Sequence, residues 1–340
     1  MLNETGNKFS TLYGLLKHLP ENVNAHANLL KAVAYNVKPR RTKSSMVSHL
    51  PVSITVYINT ICNYRCKFCF LITDTHIGSK QMNITDDQFL KIIDHPQNRY
   101  ASRITLGGGE PFLHKKLFDY VKLLKEKNKI VSIYSNGSLI DRRLDELEQT
   151  PFDYLNISHY DEHFEKITNG LNKLLEIKHR PVLRLSKIIS TENLDDMRLI
   201  LDLASSLKID SVIFQNYFPS KKEDESKVIY ANHRDYTKLK KELSKNYANL
   251  EILWPNVLKH EAKFNCQNIA LNATYDSNGN QAPCCFIVPP DPNNGNLFEE
   301  SNPWNSKQMR DFRACYTDEI SEHKSCKSCY FRSGIQNRYR

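Results

Sequence analysis

Cys62-Asn63-Tyr64-Arg65-Cys66-Lys67-Phe68-Cys69-Phe70 places three thiols within eight residues, directly after the apolar run 52–61. The spacing is Cys-x3-Cys-x2-Cys. Three cysteines in one short loop can each bind a different iron of a cubane [4Fe–4S] cluster. By themselves they cannot complete a structural zinc site, which usually takes four ligands. A cluster held by three thiolates keeps one iron open for a ligand that is not protein. The apolar run reads as a β-strand. The loop therefore sits at the C-terminal end of a strand, where βα barrels build their active sites.

Outward from that loop the chain alternates. Further β-rich runs occur at 103–106, 130–134, 154–157, 182–189 and 212–214. Helix-like segments occur at 85–93, 115–126, 141–148, 162–177, 194–207 and 236–245. Alternation at this spacing argues for repeated βα units around a parallel sheet. Six units are too few for a closed eight-stranded barrel. The expected fold is α/β: a partial, TIM-like (βα)6 barrel over residues 51–249 with a small cysteine-rich domain at 250–340. In that second segment Gly, Asn and Pro cluster, six of the nine cysteines occur, and Asn278-Gly279 between 271–275 and 281–286 reads as a hairpin turn. Residues 1–50 read as an N-terminal extension with a short amphipathic piece at 13–19.

At 340 residues the chain is long enough to bury a large core without disulfide staples. No run of about 18 apolar residues occurs, so no membrane helix is expected. The N-terminus lacks a basic start followed by an apolar core, so the expected location is the cytoplasm. Reducing conditions there favour thiolates over disulfides, and an odd, clustered set of nine cysteines points to metal binding or catalysis. The net charge of +9 is spread over short clusters rather than blocks, which reads as a solvated basic surface.

With the Cys62–Cys66–Cys69 loop after strand one and Phe68 before the last cysteine, the chain resembles the radical S-adenosylmethionine (SAM) superfamily. The resemblance implies that SAM chelates the open iron through its amino and carboxylate groups. It also implies that an electron from the cluster splits the sulfonium, giving a 5′-deoxyadenosyl radical that takes a hydrogen atom from the substrate. Gly107-Gly108-Gly109-Glu110-Pro111, after the second strand, is similar to the family's GGEP motif. By that likeness Gly108, Gly109, Glu110 and Pro111 hold the SAM amino group, and a glutamate complements an ammonium. Tyr134-Ser135-Asn136-Gly137 resembles the family's TNG turn, with ordinary turn chemistry as the other reading of Ser135 and Asn136. Ser158 matches the serine that bonds the SAM ribose, although His159-Tyr160-Asp161 follows it where relatives show x-D-G. Ser186 on strand five and Gln215 on strand six are further candidate contacts to SAM or the substrate. Candidates for a catalytic base are His159, Asp161 and Arg184.

The later cysteines suggest a second centre. Cys266, Cys284 and the pair Cys326-x2-Cys329 could fill a zinc site or a fully ligated cluster, and spacing alone leaves both open. The pattern resembles the shortened Twitch relative of the SPASM domain, which implies one auxiliary [4Fe–4S] cluster held by Cys266, Cys284, Cys326 and Cys329. Cys285 is the rival to Cys284, favoured less by the spacing from Gly279, and Cys315 fits no slot. Gly295-Asn296-Leu297, Trp304 and Arg310 resemble the segment between the halves of such domains.

The expected function is therefore that of a radical SAM enzyme with an oxidoreductase-like reaction. Its substrate is expected to be a small-molecule or carbohydrate-type biosynthetic intermediate. The alternative is a maturase modifying a peptide or protein side chain. From another class, a zinc-containing RNA-binding protein would use the basic charge and the aromatic residues of Tyr330-Phe331-Arg332 and Arg338-Tyr339-Arg340. Expected partners are the substrate and an external low-potential electron donor, with no membrane and no nucleic acid.

Overall fold

The computed structural model describes residues 23–37, 44–66, 69, 82–158, 164–219, 222–258, 266, 268–284, 287 and 290–317. In chain order the main elements are α1 (Val23–Val37), β1 (Ser53–Asn59), α2 (Asp86–Ile93), β2 (Arg103–Gly108), α3 (Leu117–Glu126) and β3 (Ile130–Ser135). Then come α4 (Leu144–Gln149), β4 (Tyr154–Ser158), α5 (Phe164–Glu176), β5 (Val182–Ile189), α6 (Asp196–Leu207) and β6 (Ser211–Asn216). They are followed by α7 (Arg234–Asn246), β7 (Glu251–Leu253), β8 (Asn272–Tyr275), β9 (Gln281–Ala282) and α8 (Lys307–Thr317). All six expected strands occur, and the expected helices differ from the observed ones only at their ends. The piece expected at 13–19 lies outside the described residues. The chain divides into two compact units. One holds the described residues up to Tyr134 together with those from Asn268 on, and the other those from Ser135 to Cys266.

In the first unit β1 lies between β2 and β8, parallel to both, and β3 pairs parallel with β2. The register sets Ser53 beside Arg103 and Asn272, and Thr55 beside Thr105 and Thr274. Ser132 stands beside Thr105 on the same face. Strand side chains alternate, so the other face carries Ile54, Val56, Ile104, Leu106, Val131 and Ile133, all buried. Buried apolar stripes on α2 (Phe89, Ile92, Ile93) and α3 (Leu117, Val121, Leu124) match it. Helix α2 starts where Thr85 and Gln88 form a reciprocal capping box.

The second unit repeats the scheme. Strands β4, β5, β6 and β7 run parallel in that order. Asn156, Arg184 and Ser211 line up on one face, as do Ser158 and Ser186, with Gln215 further along the same side. Leu155, Ile157, Leu183, Leu185, Val212 and Phe214 form the buried opposite face, and α6 packs on β5 and β6. A parallel sheet covered by helices on both sides reads as continuous apolar runs. These strands alternate instead, one face for a helical coat and one polar face, as in the staves of a barrel with a polar interior. The seventh strand, β7, escaped the sequence reading because Glu251-Ile252-Leu253 is too short to show a period.

The Asn278-Gly279 turn joins β8 to β9 antiparallel, with Thr274 opposite Ala282. Asp276 organises it by accepting from the backbone N–H groups of Asn278 (2.9 Å) and Asn280 (3.0 Å), and Gly279 supplies φ +77°. Further on, the segment before β1 is tied to the chain's later part. Asn305 accepts from Val47 N (3.1 Å) and donates to Val47 O (3.0 Å). Trp304 Nε1 donates to His49 O (3.1 Å) and His49 Nε2 to Ala270 O (2.6 Å). The Arg313 guanidinium stacks on the Trp304 ring at 4.3 Å and donates to Ile269 O (3.1 Å).

Burial, helped by the nearby Arg313 charge and opposed by the bond to Ala270, pushes His49 down to about 4. The unfolded chain therefore binds a proton at this site between about pH 6.5 and 4 that the fold refuses. The stabilisation is complete above the unfolded value and lost as pH falls through that window. Replacing His49 by Gln keeps a donor for Ala270 O and removes the titration. Melting measured from pH 7 to pH 5 is expected to fall less steeply for His49→Gln than for the parent, the difference over that range amounting to at most about 2 kcal/mol.

Candidate functional site

The end of β1 and the loop after β2 are closely joined. Gly109 N donates to Asn59 O (2.9 Å) and Glu110 N to Ile61 O (2.7 Å). The Asn59 side-chain amide donates back to Glu110 O (2.8 Å). Such an approach requires glycine. A Cβ on Gly108 would collide with Asn59 O, and one on Gly109 with Ile61 O, both far inside contact distance. Gly108 also has φ +128°, a region that side chains avoid. Gly107 faces only the Tyr57 ring, 3.8 Å from where its Cβ would stand.

Cys62 follows Ile61 directly, so the cysteine loop leaves from this junction. Its far side is anchored as well. Met82 N and Met82 O bond to Thr60 Oγ1 and Thr60 N, each at 2.9 Å, and Ile84 N donates to Ile58 O (2.8 Å). Within the loop Tyr64 N donates to Cys62 Sγ (3.4 Å), Arg65 Nη1 to Cys62 O (2.8 Å), and Cys69 N to Cys66 O (3.1 Å). Cys62, Cys66 and Cys69 are half-buried. Phe68 lies outside the described residues. Glu110 is 1% exposed and caps the short turn Pro111–Leu113, its Oε1 accepting from Phe112 N (3.0 Å).

Among the described residues no three His, Cys, Asp or Glu side chains converge on a point that would hold a single metal ion. A cubane cluster makes no such demand, because each thiolate binds its own iron. An N–H aimed at a sulfur favours the thiolate that iron requires. The Cys62 loop fits a cluster taking three protein ligands.

The second unit carries the other candidates. Ser135 Oγ accepts from Gly137 N (2.9 Å), and Asn136 Oδ1 from Ser138 N (2.9 Å) and Ser138 Oγ (2.6 Å). Those oxygens serve the turn itself, with Gly137 at φ +77°. Ser158 ends β4 opposite Ser186, whose hydroxyl accepts from Gln215 Nε2 (2.8 Å). These three residues share the polar face. Arg184 shares it too, but low on the strand, since β5 runs on to Ile189. There Arg184 is buried over the Tyr154 ring at 4.0 Å, a placement that suits a cation held by an aromatic face. His159 and Asp161 lie outside the described residues. Of the later cysteines Cys266 is buried and Cys284 half-buried; Cys285, Cys326 and Cys329 lie outside the described residues. Asn59 was not singled out in the sequence, although a polar residue ending an apolar strand just before the cysteine loop is a signal of a kind.

Residues 56–214 match the model of the radical SAM superfamily, and residues 266–330 match that of the SPASM iron–sulfur cluster-binding domain. Among curated proteins the chain is similar to the tungsten-containing aldehyde ferredoxin oxidoreductase cofactor-modifying protein of Pyrococcus furiosus. The identity is 26% over 208 residues, covering 55% of this chain and 58% of that protein. It is also similar to the GTP 3′,8-cyclase of Chlorobaculum tepidum, at 28% identity over 36% of this chain and 40% of that protein. The alignments thus span about half the length of these relatives. Among solved structures, SuiB of Streptococcus suis bound to S-adenosylmethionine aligns with TM-score 0.62 and 16% identity over 92% of this chain and 74% of that one. The protein anSMEcpe with bound AdoMet aligns with TM-score 0.60 and 18% identity over 83% and 87%. At these identities the likeness is one of fold. No helix among the described residues is long and apolar enough to cross a membrane.

The glycine contacts differ enough to be tested one by one. Gly107→Ala is expected to change stability by less than about 1 kcal/mol, and Gly109→Ala to cost about 3 kcal/mol or more. Thermal melting, together with iron retained after anaerobic purification, reads both.

Proposed function

Because the chain belongs to the radical SAM superfamily and carries a SPASM iron–sulfur domain, we propose that it cleaves SAM reductively and uses the product to take a hydrogen atom from a small-molecule substrate. The supporting observation is the junction of the two loops. The three-thiol loop starts one residue after the carbonyl that receives the Glu110 N–H. When bound, the cluster supplies the electron that splits the SAM sulfonium and releases the hydrogen-abstracting radical. The chain's own part is to hold and orient. Cys62, Cys66 and Cys69 hold three irons. Gly108 and Gly109 bring bare backbone close to the ligand, and Glu110 sets a carboxylate opposite the ammonium of SAM. Pro111 fixes the turn that follows. Ser158, Ser186 and Gln215 offer hydroxyls and an amide on a polar face, suited to the ribose, the adenine or the substrate. Ser135 and Asn136 shape the turn beside them.

The auxiliary [4Fe–4S] cluster is assigned to Cys266, Cys284, Cys326 and Cys329, with full protein ligation. That favours a role for the cluster as acceptor of the electron that the substrate radical gives up, over substrate binding at iron. An external low-potential donor completes the electron path. A small-molecule substrate is the preferred reading because the similar curated proteins include a GTP cyclase and a cofactor-modifying protein. Modification of a peptide side chain is the second reading, and a structural neighbour of the same fold was solved with a precursor peptide.

Cys66→Ala is expected to abolish formation of 5′-deoxyadenosine under reducing conditions. Cys326→Ala is expected to keep part of that cleavage and lose product. Chromatography of 5′-deoxyadenosine and product reads both, and product formation at the parent rate in Cys326→Ala would remove the electron-acceptor role.

A further inference from the structure

The ladder between β1 and β2 slips near its end, with Tyr57 opposite Gly107 and Asn59 opposite Gly108. One extra residue on β1 makes this a bulge, a device that re-aims a side chain next to a site. The re-aimed side chain is Asn59, only 1% exposed. Its amide orientation is fixed by chemistry: Glu110 O can only accept, so the nitrogen must face it, 2.8 Å away. That leaves Asn59 Oδ1 as an acceptor, buried and without a hydrogen-bond donor. Buried acceptors are nearly always satisfied, and an exception calls for a missing partner. The atom lies 3.1 Å from where a Cβ on Gly108 would stand, against the loop assigned above to SAM.

We propose that Asn59 Oδ1 accepts a hydrogen bond from the α-ammonium of SAM and so positions the cofactor's amino end. The inference rests on the SAM reading of the Gly108–Pro111 loop. Two features favour the ammonium over the adenine amine or the ribose. Glu110 places a buried carboxylate in the same loop, and a charged donor gains most from a desolvated acceptor. The Asn59 amide thus has two duties: its nitrogen fastens β1 to the loop, and its oxygen faces the ligand.

The test uses the anaerobically reconstituted full chain and two unreactive probes, S-adenosylhomocysteine and its desamino analogue, with affinities from calorimetry. The parent protein is expected to prefer the amino-bearing probe. Asn59→Leu is expected to weaken S-adenosylhomocysteine by about tenfold or more and to leave the desamino analogue nearly unchanged. Asn59→Asp, which keeps an acceptor, is expected to retain the preference. Should Asn59→Leu fail to load its cluster, Asn59→Ser replaces it, with the same loss of preference expected. Equal weakening of both probes would reduce Asn59 to a fastener and overturn the proposal. A preference undiminished in Asn59→Leu would overturn it too, with the reading of the Gly108–Pro111 loop intact. A parent protein indifferent to the amino group would remove both.

Discussion

The structure depends on one close approach. Two consecutive glycines, Gly108 and Gly109, let the backbone after β2 lie directly on the carbonyls that end β1. No side chain fits there, and the main-chain bonds across the gap are short. Everything proposed for SAM follows from that junction, because the cysteine loop begins one residue later and the Glu110 carboxylate one residue further along the other strand. A cofactor whose amino end meets both an iron and a carboxylate needs the two loops held at a fixed separation. Here backbone hydrogen bonds hold them, rather than flexible side chains.

The strands supply the second requirement, a polar wall. In both units the register gathers Ser, Thr, Asn, Arg and Gln on one face and aliphatic residues on the other. Helices cover the apolar face. Burying the polar face against more helices would leave hydroxyls and amides without partners, which is costly. Each unit's polar face is suited instead to a ligand rich in hydroxyls and amines.

Much of this was legible in the sequence. The six strands stood out because each is a compact apolar or alternating run followed by a helical period. The Cys62 loop and the Gly107–Pro111 loop stood out because their chemistry is local. What sequence hides is what register and burial decide. Arg184 was a candidate base, yet register and burial set its guanidinium low on β5, over the Tyr154 ring. Ser135 and Asn136 carried two readings, SAM contact and turn chemistry, and the structure has their oxygens accepting bonds within their own turn. Asn59 drew no notice because a bulge, which no pattern announces, gives it its place. The ties from Val47 and His49 to Asn305, Ala270 and Trp304 join residues more than two hundred positions apart, beyond any local signal.

The central claim is that the Cys62 loop holds a cluster with one iron open to SAM. The direct test is iron and sulfide analysis of anaerobically purified protein, with electron paramagnetic resonance of the reduced form with and without SAM. The account predicts about eight irons per chain and a cluster signal that SAM perturbs. Zinc in place of iron, or an iron signal indifferent to SAM, would contradict it.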